Sequence, residues 1–288
     1  MLVTLQKILE TAEERKIAVG AFNAPNLESL LAILEAAEEL QLPVIVQAAQ
    51  CHEALTPVSV MGPIMVARAK AASVPVCVHL DHGETLDYVQ KVLDMGFTGV
   101  MFDGSTLPYT ENVEIVKKAV EVAAKTGASV EAELGSMGRR ESGAGEGTGA
   151  ADDTKIYTDP VQAEAFVRET GIAALACSFG TTHGIYLSEP CLDFSVVERV
   201  RKETGGIPVV MHGGSGVSDE DFRRAVAAGV RKINYFTYMD KAAGAALMEY
   251  TAGVEAGMPV FFTEAAGRAR DAMRENIKAA MKVFAGIA

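Results

Sequence analysis

Three histidines of this chain occupy positions from which they could bind one metal ion together. His82 lies in VCVHLDHG, His183 in GTTHG and His212 in HGGSG, and each follows an apolar run typical of a buried strand. Three imidazole ligands that leave a fourth position open are typical of catalytic zinc. A single histidine at a strand end is more often a hydrogen-bonded structural residue, so the prediction of a metal site depends on all three.

Acidic residues follow the neighbouring strand-like runs. Asp103 lies in GVMFDGS and Glu133 in SVEAELG. Their carboxylates could hold a second cation or orient the histidine ligands through hydrogen bonds. His79 lies two residues before Asp81, on the same face of the predicted strand but one layer deeper, so we expect His79 to pack in the core.

A glycine-containing loop and a later strand-like segment together predict a site for a phosphate group. In HGGSG, Gly213 and Gly214 let backbone N–H groups approach an anion closely, and Ser215 adds a hydroxyl. Asn234 and Thr237, in the later segment KINYFT, are placed to complete the same pocket. Such a loop can also be a simple tight turn, so its position in the fold decides the interpretation.

The stretch 135–153 contains glycine at six positions, which disfavours regular structure. A surface linker is one interpretation. The other is a mobile lid that carries Glu141 to the proposed metal, because the stretch directly follows the strand-like run that contains Glu133.

Strand-like runs and helical stretches alternate along the chain. Strands that alternate with helices pair in parallel. Eight such units favour an α/β fold, a closed (β/α)8 TIM barrel with a C-terminal helical extension, over an open sheet. No linker divides residues 1–288, so we expect a single domain. The predicted strands are 17–23, 44–49, 76–82, 99–105, 129–135, 173–180, 208–214 and 232–237.

In such a barrel the polar residues above meet at one end. Active sites of (β/α)8 enzymes lie at the C-terminal ends of the strands, and phosphate is frequently bound after strands 7 and 8. Asn23 ends predicted strand 1 and faces the same mouth. HGGSG lies at the end of predicted strand 7 and KINYFT forms predicted strand 8, which strengthens their interpretation as a phosphate site.

Composition restricts the classes of partner. The net charge of −12 argues against binding to nucleic acid or to an anionic membrane surface. No apolar run reaches the roughly 18 residues of a membrane span, and the first residues resemble an amphipathic helix rather than a signal peptide. Four scattered cysteines form no CxxC pair. We therefore expect a cytoplasmic protein with reduced thiols and a small-molecule substrate.

The motifs together are similar to those of a known enzyme family. HLDH, VEAELG, GTTHGIY and HGGSG occur in this order, and the similarity extends from AFNAPN to INYFT. The chain resembles the class II, metal-dependent ketose-bisphosphate aldolases, particularly the shorter fructose/tagatose-bisphosphate branch. The resemblance implies a lyase that reversibly cleaves a phosphorylated ketose to dihydroxyacetone phosphate and an aldehyde through a zinc-stabilised enediolate.

The resemblance also implies roles for individual residues. Asp81 corresponds to the catalytic acid/base, and Glu141 to a loop carboxylate that exchanges a proton on the nucleophilic carbon. The resemblance leaves open whether a second divalent cation or a monovalent cation also binds. It also implies a homodimer or homotetramer, with residues 262–285 as the expected contact. The implied zinc ligands are His82, His183 and His212, with Asp103 and Glu133 at an alternative or second cation position. The implied substrate-binding residues are Asn23, Gly184, Gly213, Gly214, Ser215, Asn234, Tyr235, Phe236 and Thr237.

Two departures from the family pattern leave the substrate open. Leu187 stands where many members have a lysine, and aromatic residues surround Thr237 where acidic residues are common. A phosphorylated deoxy-keto-gluconate remains an alternative to fructose and tagatose phosphates. A non-catalytic subunit that supports another aldolase and a metal-dependent hydrolase are further alternatives. No predicted strand ends in lysine, which disfavours a Schiff-base mechanism.

Overall fold

The computed structural model describes residues 1–135, 157–182 and 190–287. Within these residues, strands and helices alternate as far as the eighth strand, which two successive helices follow. The strands are β1 Val19–Asn23, β2 Val44–Ala49, β3 Val76–Gly83, β4 Gly99–Phe102, β5 Ser129–Leu134, β6 Ala174–Cys177, β7 Val209–Met211 and β8 Val230–Asn234. The helices are α1 Leu5–Arg15, α2 Leu27–Leu40, α3 Val58–Ala71, α4 Leu86–Asp94, α5 Tyr109–Ala124, α6 Pro160–Thr170, α7 Phe194–Glu203, α8 Asp219–Ala228, α9 Thr237–Gly253 and α10 Phe262–Phe284.

The eight strands form one closed parallel barrel in chain order, with β8 paired to β1. The predicted TIM barrel and its C-terminal helices are thus confirmed. The extension of strand 8 through Thr237 is wrong, because the chain leaves the sheet after Asn234 and Thr237 is the first residue of α9. Several other predicted strands continue too far into the loops that carry the polar residues.

Local sequence signals place the helices that connect the strands. Asn26 and Ser29 form a reciprocal capping box at the start of α2. Ser218 accepts a hydrogen bond from the backbone N–H of Asp221 and caps α8, which ends at Gly229 in the left-handed conformation. These caps fix where α2 and α8 begin, and therefore the length of the loop that joins each of the two to its preceding strand.

The barrel interior is apolar at its N-terminal end and polar at its C-terminal end. Helix α1 closes the N-terminal end with Leu5, Ile8, Leu9 and Ala12, which pack against the inward-facing residues Ala21, Ile45, Cys77, Ala174, Ala176 and Val210. A larger apolar cluster fills the space between the strands and the surrounding helices. The buried polar side chains of the barrel thus collect toward the mouth, where a site can form.

An irregularity at the end of β3 determines where His82 points. Leu80 pairs with Val100 and Gly83 with Phe102, so two residues of β3 face one residue of β4. His82 lies in this bulge with a φ of 46°, in the left-handed region that a non-glycine residue seldom adopts. Such strain persists only where the surrounding structure enforces it, and it is frequent at functional sites.

Candidate metal centre and active site

His82 and His212 bring two ring nitrogens to one point at the barrel mouth. Nε2 of His82 lies 3.1 Å from Nδ1 of His212, and the two rings are nearly perpendicular, at 86°. Two nitrogens that bind one zinc ion tetrahedrally at about 2.0–2.1 Å lie about 3.3 Å from each other. The observed spacing therefore fits a shared metal ion.

Each histidine uses its other ring nitrogen to contact a carboxylate. Nδ1 of His82 is 2.8 Å from Oδ2 of Asp103, and Nε2 of His212 is 2.8 Å from Oε1 of Glu131. These carboxylates accept the ring N–H groups of His82 Nδ1 and His212 Nε2, so the nitrogens that face a metal are Nε2 of His82, once its proton has left, and Nδ1 of His212. Metal-binding histidines commonly have such partners, because the carboxylate fixes both the tautomer and the ring orientation.

Carboxylates near the two histidines complete two groups of potential ligands. Asp81, His82 and His212 form one group, and His82, Asp103 and Glu133 form the other, each with ligand atoms within 4.8 Å of one another. Asp103 also accepts hydrogen bonds from the backbone N–H and the hydroxyl of Ser105, at 3.1 and 2.7 Å. The donor set of imidazole and carboxylate suits a divalent cation.

The electrostatic potential at the mouth favours a cation. Burial alone would lower the pKa of His82, yet Asp81, Asp103 and Glu133 raise it to about 9. For Asp81 the effect of burial has the opposite sign and would raise the pKa. The charges of His82, His212 and Lys232 outweigh burial and hold the pKa of Asp81 well below its usual range. The carboxylates thus stay ionised and create a negative potential where a metal would bind.

Asp81 is held from both sides by amide groups. Asn23 Nδ2 donates to Oδ2 at 2.9 Å, and Asn234 Nδ2 donates to Oδ1 at 3.0 Å. Asn23 in turn accepts a hydrogen bond from Gln47 Nε2 at 3.2 Å. The carboxylate is buried beside the two histidines, with Oδ1 at 3.9 Å from Nε2 of His82. A carboxylate in this environment is fixed in position and ionised, which is the form that a proton acceptor needs.

The predicted phosphate segments meet at the same mouth. The backbone N–H of Gly214 donates to the carbonyl oxygen of Asn234 at 3.3 Å, and the N–H of Phe236 donates to Oγ of Ser215 at 3.3 Å. A Cβ at Gly214 would lie 2.8 Å from that carbonyl oxygen, so a side chain has no room there. Thr237 begins α9, and its position at a helix N-terminus suits an anion better than a position inside a strand would.

The two aromatic residues predicted to bind substrate lie in different surroundings. The ring of Tyr235 is buried against Phe22, Phe222 and Phe284 in the layer between barrel and helices, so only its backbone can contact a ligand at the mouth. The ring of Phe236 lies 5.3 Å from that of His52, which ends the short 3₁₀ turn after β2. This pair bridges the ends of β8 and β2, the two neighbours of β1.

Some predicted site residues lie outside the described residues. They are Glu141, His183 and Gly184, together with the stretch 136–153 of the predicted lid and the departure at Leu187. The third histidine and the lid carboxylate therefore remain predictions from the sequence.

The structure adds two buried residues that were absent from the predicted site, Glu131 and Lys232. Both are fully buried inside the barrel, where Nζ of Lys232 lies 2.8 Å from Oε2 of Glu131. The sequence does contain a signal for each. Glu131 alternates with Glu133 in VEAEL, which puts both on the inner face of β5, and Lys232 lies two residues before Asn234 on β8. His79 is fully buried, as predicted for a core residue, at 3.5 Å from Glu131.

Comparison with known proteins assigns the family. A family model described as "Fructose-bisphosphate aldolase class-II" matches residues 3–287. The chain belongs to this family. It is 37% identical to the fructose-bisphosphate aldolase of Staphylococcus aureus (strain COL) over 289 residues, 98% of this chain and 97% of that protein. It is 42% identical to that of Geobacillus stearothermophilus over 242 residues, 82% of this chain and 81% of that one.

Solved structures of aldolases share the fold. The crystal structure of the YdjI aldolase from Escherichia coli K12 has a TM-score of 0.86 and 34% identity, covering 99% of this chain and 97% of that one. A putative fructose-1,6-bisphosphate aldolase from Coccidioides immitis has a TM-score of 0.82 and 26% identity, covering 97% and 95%.

Family membership confirms the predicted enzyme class. The chain is an aldolase, a carbon–carbon lyase of carbohydrate metabolism whose substrate is a phosphorylated sugar, in a family that depends on a metal ion. Among the described helices, none combines the length and the apolar character needed to cross a membrane.

Proposed function

We propose that this aldolase binds zinc and reversibly cleaves a ketose bisphosphate to dihydroxyacetone phosphate and an aldehyde. The observation that carries the proposal is the 3.1 Å approach of His82 Nε2 and His212 Nδ1 beside the amide-held carboxylate of Asp81. This arrangement supports the proposal, because cleavage next to a ketone requires metal ligands and a proton acceptor close together.

The residues for the metal are His82 and His212, with His183 as the third ligand implied by the resemblance. Asp103 and Glu133 offer an alternative or second cation position around His82. When bound, a divalent cation supplies a Lewis acid that stabilises negative charge on the carbonyl and hydroxyl oxygens of the substrate.

Asp81 is the residue that handles the proton of the reacting hydroxyl. In the cleavage direction, its carboxylate accepts the C4 hydroxyl proton while the C3–C4 bond breaks and its electrons remain on C3 as an enediolate. In the condensation direction the same proton returns to the new hydroxyl oxygen. Asn23 and Asn234 fix the carboxylate for this transfer, and we assign the proton exchange at C3 to Glu141.

The dihydroxyacetone-phosphate half is proposed to lie against the loop 213–215 and the start of α9. Ser215 and Thr237 offer hydroxyl groups there, and backbone N–H groups at the helix N-terminus suit the phosphate. Gly184 and the backbone around Tyr235 and Phe236 complete the proposed contacts.

The substrate is tested by release of dihydroxyacetone phosphate from fructose 1,6-bisphosphate, tagatose 1,6-bisphosphate, fructose 1-phosphate and a phosphorylated deoxy-keto-gluconate. For the last compound the aldehyde partner is followed as well. We expect cleavage of a bisphosphate to be fastest, and a faster sugar acid would change the substrate but keep the mechanism. Zinc-loaded protein that cleaves none of the four would contradict the proposal and favour a non-catalytic subunit.

We also propose a homo-oligomer, as the family resemblance implies. The link between α9 and α10 exposes Met258, Val260 and Phe261, and Phe262 at the start of α10 is 80% exposed. This exposed apolar group supports the proposal, because such groups often lie at contacts between chains. Light scattering coupled to size-exclusion chromatography measures the mass, and a value near 30 kDa would contradict an oligomer.

A further inference from the structure

An ion pair lies inside the barrel directly beneath the proposed active site. Lys232 Nζ is 2.8 Å from Oε2 and 3.2 Å from Oε1 of Glu131, and both side chains are fully buried. Removing two charges from water is costly, and an apolar pair of similar volume is frequently as stable. Stability alone therefore gives little reason for this pair.

Two hydrogen-bond paths lead from the pair to the two parts of the site. Glu131 Oε1 accepts from Nε2 of His212 at 2.8 Å, and Nδ1 of the same ring points to the metal position. Lys232 donates to Oδ1 of Asn234 at 2.8 Å, and Nδ2 of that amide donates to Asp81 at 3.0 Å. One ion pair thus contacts both a proposed metal ligand and the partner of the proposed acid/base.

The contact from Glu131 selects one tautomer of the His212 ring, and the contact from Lys232 selects one orientation of the Asn234 amide. A neutral imidazole can carry its proton on either nitrogen, and only the Nε2–H tautomer gives Nδ1 of His212 a lone pair with which to bind a metal. An amide can present oxygen or NH2 to its neighbour. The ammonium group of Lys232 has donors only, so it holds the oxygen of Asn234 and turns the NH2 group toward Asp81.

We propose that Glu131 and Lys232 are positioning residues for this aldolase. Glu131 fixes the metal-binding tautomer of His212, and Lys232 fixes the amide of Asn234 against Asp81. The inference rests on the proposed zinc and Asp81 chemistry and adds two residues that touch neither substrate nor metal. Lys232 also offsets the charge of Glu131, at 2.8 Å inside the barrel.

The chain offers a matched control for loss of Lys232. Arg231 precedes it on β8, is also buried, and pairs with Glu13 at 2.8 Å on the opposite face of the strand. Arg231→Met and Lys232→Met therefore each remove a buried cation and its ion pair from neighbouring positions, but only the second lies beneath the active site.

The first test measures zinc affinity by competition with a chromophoric chelator, the visible spectrum of the Co²⁺-loaded protein, and kcat and KM at saturating zinc. We expect Glu131→Leu to weaken zinc binding 10- to 100-fold and to change the Co²⁺ spectrum, and Glu131→Gln, which keeps an acceptor oxygen, to lose less. Lys232→Met is expected to lower kcat at least 10-fold with a smaller change in KM. Arg231→Met is expected to lower only the melting temperature.

The outcomes separate this inference from the proposed function. Suppose that the wild-type protein binds zinc and cleaves substrate, but Glu131→Leu and Lys232→Met have the same zinc affinity and kcat as Arg231→Met. This result would overturn the positioning role alone. Wild-type protein that binds no zinc would overturn the proposed function as well.

If the variants do not fold, ¹⁵N NMR of labelled histidines in the zinc-free wild-type protein tests the same point. A proton on Nε2 of His212 is expected. A proton on Nδ1 would overturn the inference.

Discussion

Replacement of Asp81 by asparagine tests the proposed proton acceptor most sharply. Each carboxylate oxygen of Asp81 accepts a hydrogen bond from an amide NH2 group, that of Asn23 at 2.9 Å and that of Asn234 at 3.0 Å. An amide at this position has one acceptor oxygen instead of two, so its own NH2 group must face one of these donors. The volume and the rest of the site stay nearly the same.

Asp81→Asn is expected to affect both the stability of the protein and the rate of cleavage. An unsatisfied donor in a buried site costs about 1–3 kcal/mol of stability, which for a chain of this length corresponds to a few degrees in melting temperature. Loss of a positioned acid or base typically lowers the rate by about 10²–10⁴-fold. Asp81→Asn should therefore fold, melt a few degrees lower, and lose at least about 100-fold in kcat.

The assay is cleavage of fructose 1,6-bisphosphate, coupled to dihydroxyacetone-phosphate detection, at a zinc concentration that saturates each variant. Asp87→Asn is the control, because it makes the same chemical change outside the barrel. Asp87 is exposed in the first turn of α4. If Asp81→Asn keeps more than a tenth of the wild-type kcat while Asp87→Asn is unaffected, Asp81 does not transfer the proton and the proposed mechanism is refuted.

Three further predictions follow from the same site. In the zinc-free protein, the pKa of His82 of about 9 gives up to about 3 kcal/mol of stability that is present below pH 6.5 and lost as the pH rises to 9. Burial and Lys232 lower the pKa of His79 to about 3, so stability also falls as the pH drops below 6.5. The free energy of unfolding, measured with urea, should therefore be largest near pH 6.5. A free energy of unfolding that stays constant from pH 6.5 to 9 would contradict this prediction. Asp103→Asn should weaken zinc binding 10- to 100-fold in a chelator competition, and unchanged affinity would show that this carboxylate does not orient His82. Ser215→Ala should raise KM for the bisphosphate about 5-fold with kcat nearly constant, whereas an unchanged KM would place the phosphate elsewhere.

The arrangement of the barrel was predictable because its signals are local. Short apolar runs, helical periodicity and residues such as Gly229 at helix ends mark each unit, and alternation of strands and helices implies parallel pairing. The same reasoning placed Asp81, His82, Asp103 and His212 at one mouth, since parallel strands of a closed barrel end on the same side.

The end of β8 was mispredicted because tertiary packing overrode local preference. The aromatic residues of INYFT favour a strand. In the fold, however, Tyr235 turns outward to pack against Phe22, Phe222 and Phe284, and α9 begins two residues later. The partner that accepts an aromatic ring lies far away in sequence, so no local pattern reveals it.

The contact between Glu131 and Lys232 also required the structure. Which side chains meet across a closed barrel depends on the stagger of all eight strands, and β5 and β8 are not neighbours. The bulge that turns His82 toward His212 is likewise a result of the pairing between β3 and β4. The sequence supplied the types of these residues but not their distances.

The most direct measurement is cleavage of fructose 1,6-bisphosphate by protein that has been stripped with EDTA, before and after addition of one equivalent of Zn²⁺ per chain. The proposed site predicts no cleavage after stripping and full recovery at one equivalent, with no recovery in His82→Ala or His212→Ala. Cleavage that resists EDTA in metal-free protein, or recovery in either histidine variant, would contradict a catalytic metal held by these two residues.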